Sequence, residues 1–289
     1  MKSILIAFLY FFSLTSAFGQ KKPIVLAAGD WAPFLAKKGL AHNGVGAHVV
    51  KKAFQNAGYK VKFKFFPWKK NMTESRKGKV ITGGVLWLKK PERVKIFHYS
   101  EPVMAEKNVF FHLKKDSFSW AQMADVQKWL ESQNYKMGGI KGFSYSPEFD
   151  KYVGLQGTSY NLDKATIKPK YYKPVIKGEQ NWKKMEKGKV HLYPQEINVG
   201  YYKIQTKFPE LKDKITHHPK AISESFSHVI IPKTRNGGME LINAFNKGLA
   251  QLKASGEYDK MIKASQAGNY ECSKYKAANP SDKLGDECE

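Results

Sequence analysis

The stretch from Lys77 to Met104, KGKVITGGVLWLKKPERVKIFHYSEPVM, is the part of the chain that best predicts the fold. Lys77-Gly78-Lys79 is typical of a helix end, and Val80 to Trp87 reads as a buried strand. A short helical turn then presents Arg93. An arginine just past the carboxyl end of a strand can hold a small anion, because its guanidinium pairs with a carboxylate through two parallel hydrogen bonds. Open α/β sheets bind ligands at this end of their strands.

Strand and helix patterns alternate before this stretch. Pro23 to Ala28 reads as a strand, and Val45 to Ala57 as an amphipathic helix that Gly58 ends. Lys60 to Phe66 alternates lysine with apolar residues, which is typical of a strand with one solvated face. Trp68 to Lys77 is helical. The order β-α-β-α-β predicts a parallel, doubly wound sheet.

The second half of the chain repeats this alternation, which favours two similar α/β lobes. The predicted helices are 119–133, 182–187, 196–207, 239–253 and 258–263, and the predicted strands are 135–140, 190–193 and 226–231. The strand at 226–231 (FSHVII) has no local partner in sequence. Past Tyr270 the chain is polar, and we expect it to be irregular apart from one disulfide.

The N-terminus has the pattern of a secretory signal. Lys2 precedes an apolar run from Ile4 to Phe12, and small residues around Gly19 predict cleavage there, so that residues 1–19 are removed. A membrane anchor is the alternative, but the run is short for a span of about 20 residues. We therefore expect a soluble, exported protein. Cys272 and Cys288 are the chain's two cysteines, and in an oxidising compartment they predict a local disulfide.

The formal net charge of +24 raises the question of an anionic partner. The lysines are spread along the chain in pairs, and no nucleic-acid motif accompanies them, so we favour a solvated basic surface and expect no nucleic-acid partner. A field that concentrates anionic solutes, or contact with an anionic envelope surface, remains open. The pair His217-His218 lacks acidic or cysteine neighbours, so neither a metal nor another cofactor is predicted.

Four blocks in order resemble the family 3 extracellular solute-binding proteins, the polar-amino-acid-binding type of periplasmic binding protein. They are Trp31-Ala32-Pro33-Phe34 after the first strand, Gly78 to Pro102, Gly142-Phe143-Ser144-Tyr145, and Ser255 to Ile262. Together they span nearly the whole chain beyond the signal. The resemblance implies the type II fold, in which two lobes are joined by two crossing segments and the ligand is bound between them.

The resemblance also implies domain boundaries and partners. Lobe 1 would comprise residues 20–110 and 225–270, lobe 2 residues 111–224, and residues 271–289 would form a C-terminal tail. The strand at 226–231 would return the chain to lobe 1. The family further implies a monomer in the periplasm that delivers a carboxylate-bearing small molecule to a membrane permease of the ABC type, or that informs a sensor.

Family positions can be carried over to individual residues. Arg93 matches the arginine that holds the ligand's carboxylate, and Trp31 and Phe34 match an aromatic wall. The backbone at Ser144 and Tyr145 lies at a predicted helix N-terminus, which favours an anion. Glu196 lies about where the family places an acid that pairs the ligand's ammonium, although it is also typical of a helix-start acid.

Other candidates come from the residues themselves. Trp68 and Trp87 fit either a ligand-lining or a packing role. Asp30 fits either a turn or a ligand contact. The chain departs from the family pattern in having Lys90 before the arginine, Ile81 after the Gly-Lys pair, and Gly46 and His48 in the first helix. Lys90 points to an extra anion on the ligand.

These observations favour a binding protein for a small polar, anionic or zwitterionic, amino-acid-like solute, and not an enzyme. A periplasmic sensor or adaptor is the first alternative. The second is a dehydratase or lyase on the same fold. Catalysis of that kind needs a positioned acid or base, for which Glu196 and Asp30 are the plausible cleft carboxylates.

Overall fold

The computed structural model describes residues 23–156, 159–161 and 164–289. The predicted signal, residues 1–19, lies outside these ranges. Within them, no helix combines the length and apolar character needed to span a bilayer.

The described residues form a mixed α/β structure around one ten-stranded sheet. The strands are β1 (Ile24–Ala28), β2 (Val61–Phe65), β3 (Gly83–Leu88), β4 (Phe97–Tyr99), β5 (Met104–Leu113), β6 (Met137–Ile140), β7 (Leu155–Gln156), β8 (Ser159–Tyr160), β9 (Tyr172–Val175), β10 (Leu192–Glu196), β11 (Ile215–His217) and β12 (Ser223–Pro232). The helices are α1 (Val45–Asn56), α2 (Trp68–Lys77), α3 (Pro91–Val94), α4 (Met123–Ser132), α5 (Pro147–Val153), α6 (Glu179–Glu186), α7 (Ile197–Lys207), α8 (Gly238–Ala254), α9 (Glu257–Gln266) and α10 (Cys272–Ala278).

The large sheet runs in the order β2-β1-β3-β12-β5-β10-β6-β9, with β4 beside β12 and β11 beside β5. The outer strands are parallel: β1 pairs with β2 and β3, and β6 pairs with β9 and β10. Strands β5 and β12 are antiparallel to their neighbours and to each other. The predicted parallel α/β class is confirmed.

The long strands β5 and β12 join the two ends of the sheet. Ser223 to Ser227 of β12 pair with Asn108 to Met104 of β5, while the rest of β12 pairs with β3 and β4. The strand that lacked a local partner in sequence thus finds its partners more than a hundred residues away. We call β5 and β12 the crossing strands.

Separate apolar cores lie on either side of the crossing strands. The first packs α1, α8 and α9 against β1 and β3, with Phe54 and Phe245 at its centre. Gly248 of α8 lies so close to α1 that an added Cβ would fall 1.9 Å from the Ala53 carbonyl oxygen. The other cores enclose Phe110 and Phe149 on one face of the sheet and Phe111 and Trp182 on the other.

Two local expectations are wrong. Strand β3 begins at Gly83, and Val80 is 79% exposed. The cause is a turn after α2, where Gly78 adopts a left-handed conformation and Arg235 donates to the carbonyls of Gly78 and Lys79. The tail beyond Tyr270 contains α10 and is not irregular.

The predicted disulfide between Cys272 and Cys288 is present, with Cα atoms 5.5 Å apart. The loop it closes lies on the first core. The Tyr270 carbonyl accepts from the Ala41 amide at 2.8 Å, and the Glu287 carbonyl accepts from the Gly39 amide at 2.8 Å. The tail therefore braces the segment between β1 and α1.

Candidate functional site

Three of the candidate residues meet in one groove at the carboxyl end of β3. The rings of Trp68 and Trp87 pack edge to face with centroids 5.2 Å apart, and the Arg93 guanidinium lies 4.8 Å from the Trp87 ring. The groove has a volume of about 540 Å³ and is also lined by residues of α2 and by Glu92, Ile96 and Phe97. A cation over a tryptophan face is electrostatically favourable, so the tryptophan fixes the guanidinium in place.

Arg93 retains most of its capacity to donate hydrogen bonds. One Nη1–H bonds to the Leu88 carbonyl at 3.1 Å, at the last residue of β3. None of the ion pairs found among the described residues includes Arg93, although Glu92 is its neighbour in the chain. Since a guanidinium has several N–H donors, the others are available to an anion.

Trp68 covers the carboxyl end of β1. An added Cβ at Gly29 would fall 2.6 Å from the Trp68 ring, so only glycine allows the indole to lie there. Trp68 is 37% exposed whereas Trp87 is 8% exposed, so Trp68 presents a surface to solvent and Trp87 serves mainly as its support.

A second groove, of about 440 Å³, lies where β3 ends beside the crossing strands. Its lining includes Lys89, Lys90, Phe226 and His228. Because a carbonyl only accepts, the His228 Nδ1 donates to the Ser100 carbonyl at 2.7 Å. Burial lowers the pKa of His228, which leaves the two lysines as the groove's cations. This arrangement gives Lys90 a place to meet an anionic group.

The first loop turns back on itself. The Asp30 carboxylate accepts a hydrogen bond from the Lys37 amide at 2.7 Å. Asp30 therefore stabilises the turn of this loop, which is one of the two roles predicted for it. The rings of Trp31 and Phe34 lie 4.6 Å apart. Phe34 is fully buried in the first core, so its ring packs between elements and does not face solvent. Trp31 is partly exposed and covers that core from outside.

The Gly142–Tyr145 block is held within its own lobe. Ser144 Oγ donates to the Asp150 carboxylate. Tyr145 is 2% exposed, and its hydroxyl accepts from the Ile140 amide at 3.2 Å. Burial holds the pKa of Tyr145 well above its usual range. The structure does not bring Ser144 and Tyr145 to the groove of Arg93.

Glu196 caps α7. Its carboxylate accepts from the Val199 amide at 2.8 Å and from the Asn198 side-chain amide at 2.9 Å. Burial is the main reason why the pKa of Glu196 is raised to about 7, and the nearby charge of Glu106 makes a smaller contribution in the same direction. Asn198 in turn accepts from Gln266 of α9 at 2.8 Å, which connects the cap to the first core.

Glu106 was not among the predicted site residues. Burial raises its pKa to about 7 as well. The sequence held only a weak signal, because Glu106, Lys107 and Asn108 form one polar run in a segment that turns apolar at Val109. Since successive side chains of a strand point to opposite faces, Glu106 and Asn108 share one face.

A family model described as bacterial extracellular solute-binding proteins, family 3, matches residues 24–264, which is most of the chain. The chain belongs to this family. The resemblance inferred from four short blocks is thereby confirmed. A comparison with curated protein sequences finds no match.

Solved structures of other solute-binding proteins share the fold. The second substrate-binding domain of GlnP from Lactococcus lactis, in its open conformation, has a TM-score of 0.63 and 20% identity, covering 84% of this chain and 95% of that one. The unliganded, open L-cystine receptor of Neisseria gonorrhoeae has a TM-score of 0.61 and 19% identity, covering 86% and 93%. AbpA of Streptococcus pneumoniae, bound to L-arginine, has a TM-score of 0.54 and 20% identity, covering 86% and 96%. At these identities the likeness is one of fold.

Proposed function

We propose that this solute-binding protein captures a small carboxylate-bearing solute, amino-acid-like in size, with Arg93 as the carboxylate anchor. The observation that carries the proposal is the Arg93 guanidinium, which is fixed over Trp87 and makes no ion pair within the described part of the chain. A pre-positioned guanidinium loses little freedom on binding, and its flat fork matches a carboxylate.

The side chains near Arg93 favour particular chemical groups in the rest of the solute. Trp68 offers an exposed aromatic face beside the arginine, which favours an apolar or planar group. Lys89 and Lys90 line the adjacent groove and favour a second anionic group on some solutes. Glu196 would attract an ammonium only by sharing the hydrogen bonds that now cap α7.

Capture would involve closure of two lobes about the crossing strands. The separate cores on either side of β5 and β12 support lobe boundaries within those strands, near residues 110 and 225. The open conformations of two solved structures with this fold are consistent with a hinge. Export to the periplasm and delivery to an ABC-type permease are the corresponding proposals for location and partner.

A thermal-shift screen of amino acids, dicarboxylates and small peptides, followed by calorimetry on the hits, tests this function. Losing a charge-assisted pair costs about 1.5–3 kcal/mol, so Arg93→Ala is expected to weaken binding roughly 10- to 100-fold. Arg93→Lys should recover little, because lysine lacks the fork. The control is Arg76→Ala, which removes another arginine of the same groove and should have a small effect.

The proposal fails if no carboxylate stabilises the protein, or if Arg93→Ala binds as well as the wild type. Chemical turnover of a stabilising solute would instead indicate an enzyme. A protein partner captured in the absence of any solute would indicate an adaptor.

A further inference from the structure

Strand β2 forms one edge of the large sheet. It is the first strand in the sheet order, and β1 is its partner among the described residues. Just outside its two ends, the Lys60 carbonyl accepts from the Ile24 amide at 2.8 Å, and the Phe66 amide donates to the Ala28 carbonyl at 2.9 Å. The backbone groups of one strand residue point to the same edge, and those of the next residue point to the other. The even-numbered residues of β2 therefore face β1.

The odd-numbered residues of β2 direct their backbone groups away from the sheet. These residues are Val61, Phe63 and Phe65. Within the described structure, their amides and carbonyls make no backbone hydrogen bond outside the pairing of β2 with β1. A row of free N–H and C=O groups on an edge strand is a template for another strand.

A groove of about 830 Å³ runs along this edge. Strand β2 forms one wall, and the tail forms the other through Gly285, Asp286 and Glu287. The groove shares no lining residue with the groove of Arg93 or with the groove of Lys90. It is therefore a site of its own, and an inference about it does not depend on the proposed solute.

The groove carries an excess of positive charge. Its lining includes five lysines: Lys37, Lys38, Lys51, Lys62 and Lys64. None of them forms an ion pair within the described part of the chain. The tail contributes only two acids, Asp286 and Glu287, and the Glu287 carboxylate is engaged by the amides of His42 and Gly285, each at 3.2 Å. The lysines thus remain available to an anionic partner.

The arrangement of the lysines restricts the kind of partner. Lysines on an edge strand commonly prevent pairing between two copies of a protein, and two β2 strands side by side would oppose lysine with lysine. An acidic strand meets no such repulsion. A membrane of anionic lipids also has the matching charge, but its broad surface does not enter a groove and it has no backbone groups for Val61, Phe63 and Phe65. Both features together favour an acidic polypeptide.

We propose that the edge of β2 binds an acidic, extended segment of a partner protein, which adds to the sheet as one more strand. Side chains of directly opposed residues share a face, so acids two residues apart in the segment would oppose Lys62 and Lys64. Phe63 and Phe65 lie on the other face, against the first core. The residues between the acids would therefore be apolar. The complementary segment alternates apolar and acidic residues over about five positions.

Labelled peptides test the pattern. The probe is fluorescein-labelled Ser-Val-Glu-Val-Glu-Val-Ser, and its binding is measured by fluorescence anisotropy. A control peptide of the same composition, Ser-Val-Val-Glu-Glu-Val-Ser, cannot oppose both lysines from one face and should bind roughly 10-fold more weakly. Raising NaCl to about 1 M should weaken the probe, because the screening length falls to about 3 Å.

Charge reversal tests the site. The double variant Lys62→Glu, Lys64→Glu should weaken the probe at least about 10-fold and should bind the reversed peptide Ser-Val-Lys-Val-Lys-Val-Ser instead. The control, Lys187→Glu with Lys189→Glu, changes the net charge equally at two exposed positions outside the groove and should bind the probe nearly as the wild type does. If the double variant fails to fold, Lys62→Gln with Lys64→Gln should still weaken the probe.

Methylation of the peptide backbone distinguishes strand addition from attraction between charges alone. Two versions of the probe carry N-methyl groups, one on its valines and the other on its glutamates. Only one set of amides can face β2, so one version should lose binding roughly 10-fold or more while the other retains it. The version that fails also gives the strand direction, since opposed residues bond directly in an antiparallel pair and their neighbours bond in a parallel pair.

Several results would overturn the inference. They are the absence of probe binding, equal affinity of the probe and the reordered peptide, unchanged binding in Lys62→Glu, Lys64→Glu, and equal affinity of the two methylated peptides. Binding to vesicles of phosphatidylglycerol and phosphatidylcholine that this variant loses, without binding of the probe, would instead assign the lysines to a membrane. A concentration-dependent dimer that the probe does not dissociate and the variant abolishes would assign the edge to a second copy.

Discussion

The Glu196 carboxyl offers a sharp test of the electrostatics at the crossing strands. Its pKa is raised from 4.5 to about 7, first by burial and then by Glu106. In the unfolded chain the group ionises near 4.5, so between these two values the folded state holds the extra proton. Folding stability therefore falls as pH rises through this window, and the difference corresponds to ~3 kcal/mol.

Glu196→Gln removes the titration and keeps the shape. Glutamine caps a helix less well than a carboxylate, which costs the variant about 1 kcal/mol at every pH. At about pH 3, below both pKa values, the variant should be less stable than the wild type by that amount. At about pH 8 the wild type bears the full cost of a buried charge, and the variant should be the more stable by ~2 kcal/mol. The two stability curves are expected to cross.

Urea unfolding of the wild type and of Glu196→Gln across this pH range measures the effect. The quantity to compare is the difference between their free energies of unfolding at each pH. The wild-type curve alone is not diagnostic, because lowered histidine pKa values act in the opposite direction. The histidines concerned are His42, His48, His191, His217, His218 and His228. They are present in both proteins and cancel in the difference.

Glu179→Gln provides a control of opposite sign. The Lys203 ammonium donates to Glu179 and lowers its pKa, so this variant should lose stability relative to the wild type as pH rises through the acidic range. A constant difference between wild type and Glu196→Gln from about pH 5 to about pH 8 would refute the reasoning, since it would mean that Glu196 is ionised in the folded protein at all these values.

Three further outcomes are expected. Burial lowers the pKa of His48 to about 2, so this side chain stays neutral in the folded protein at pH values where the unfolded chain, with a pKa of 6.5, takes up a proton. The wild type should therefore lose stability as pH falls below 6.5, and His48→Gln should lose less, as measured by urea unfolding. The double variant Cys272→Ser, Cys288→Ser opens a loop with a sequence separation of 16 and should lower stability by ~3 kcal/mol, with dithiothreitol reproducing the drop in melting temperature of the wild type. Gly248→Ala should destabilise by about 1–3 kcal/mol although alanine favours helix, because its Cβ meets the Ala53 carbonyl; an unchanged melting temperature would contradict the packing.

The first half of the fold could be predicted because its elements are local. Val45 to Asn56 has an apolar face and a glycine after its end, and the structure places α1 there. The crossing strand β5 was not recognised as one element. It begins directly after Pro102 and Val103, and the polar run from Glu106 to Asn108 interrupts its apolar pattern until Val109. Its partners lie about a hundred residues away, and no local pattern reports them.

The candidate site could be predicted in part. The sequence pointed to Trp68, Trp87 and Arg93 separately, and the structure brings them together because β3 ends where α2 and α3 begin. Phe34 and Tyr145 were expected near the ligand on the strength of their motifs, and both are core residues. An aromatic residue beside a loop can turn toward the core or toward solvent, and its spacing does not distinguish the two.

The charges of the chain are unevenly distributed between its surface and the crossing strands. A net charge of +24 creates a field that concentrates anions and repels simple cations, and salt screens this field. Under the proposed function, this field would draw in the carboxylate of the solute, and Arg93 would receive it. At the crossing strands the sign reverses locally, because Glu196 is buried, Glu106 is half-buried, and neither forms an ion pair among the described residues. Under the proposed function, the long-range field would act on an anionic group of the solute and the local field on a cationic group, and a zwitterion would be the simplest solute that carries both.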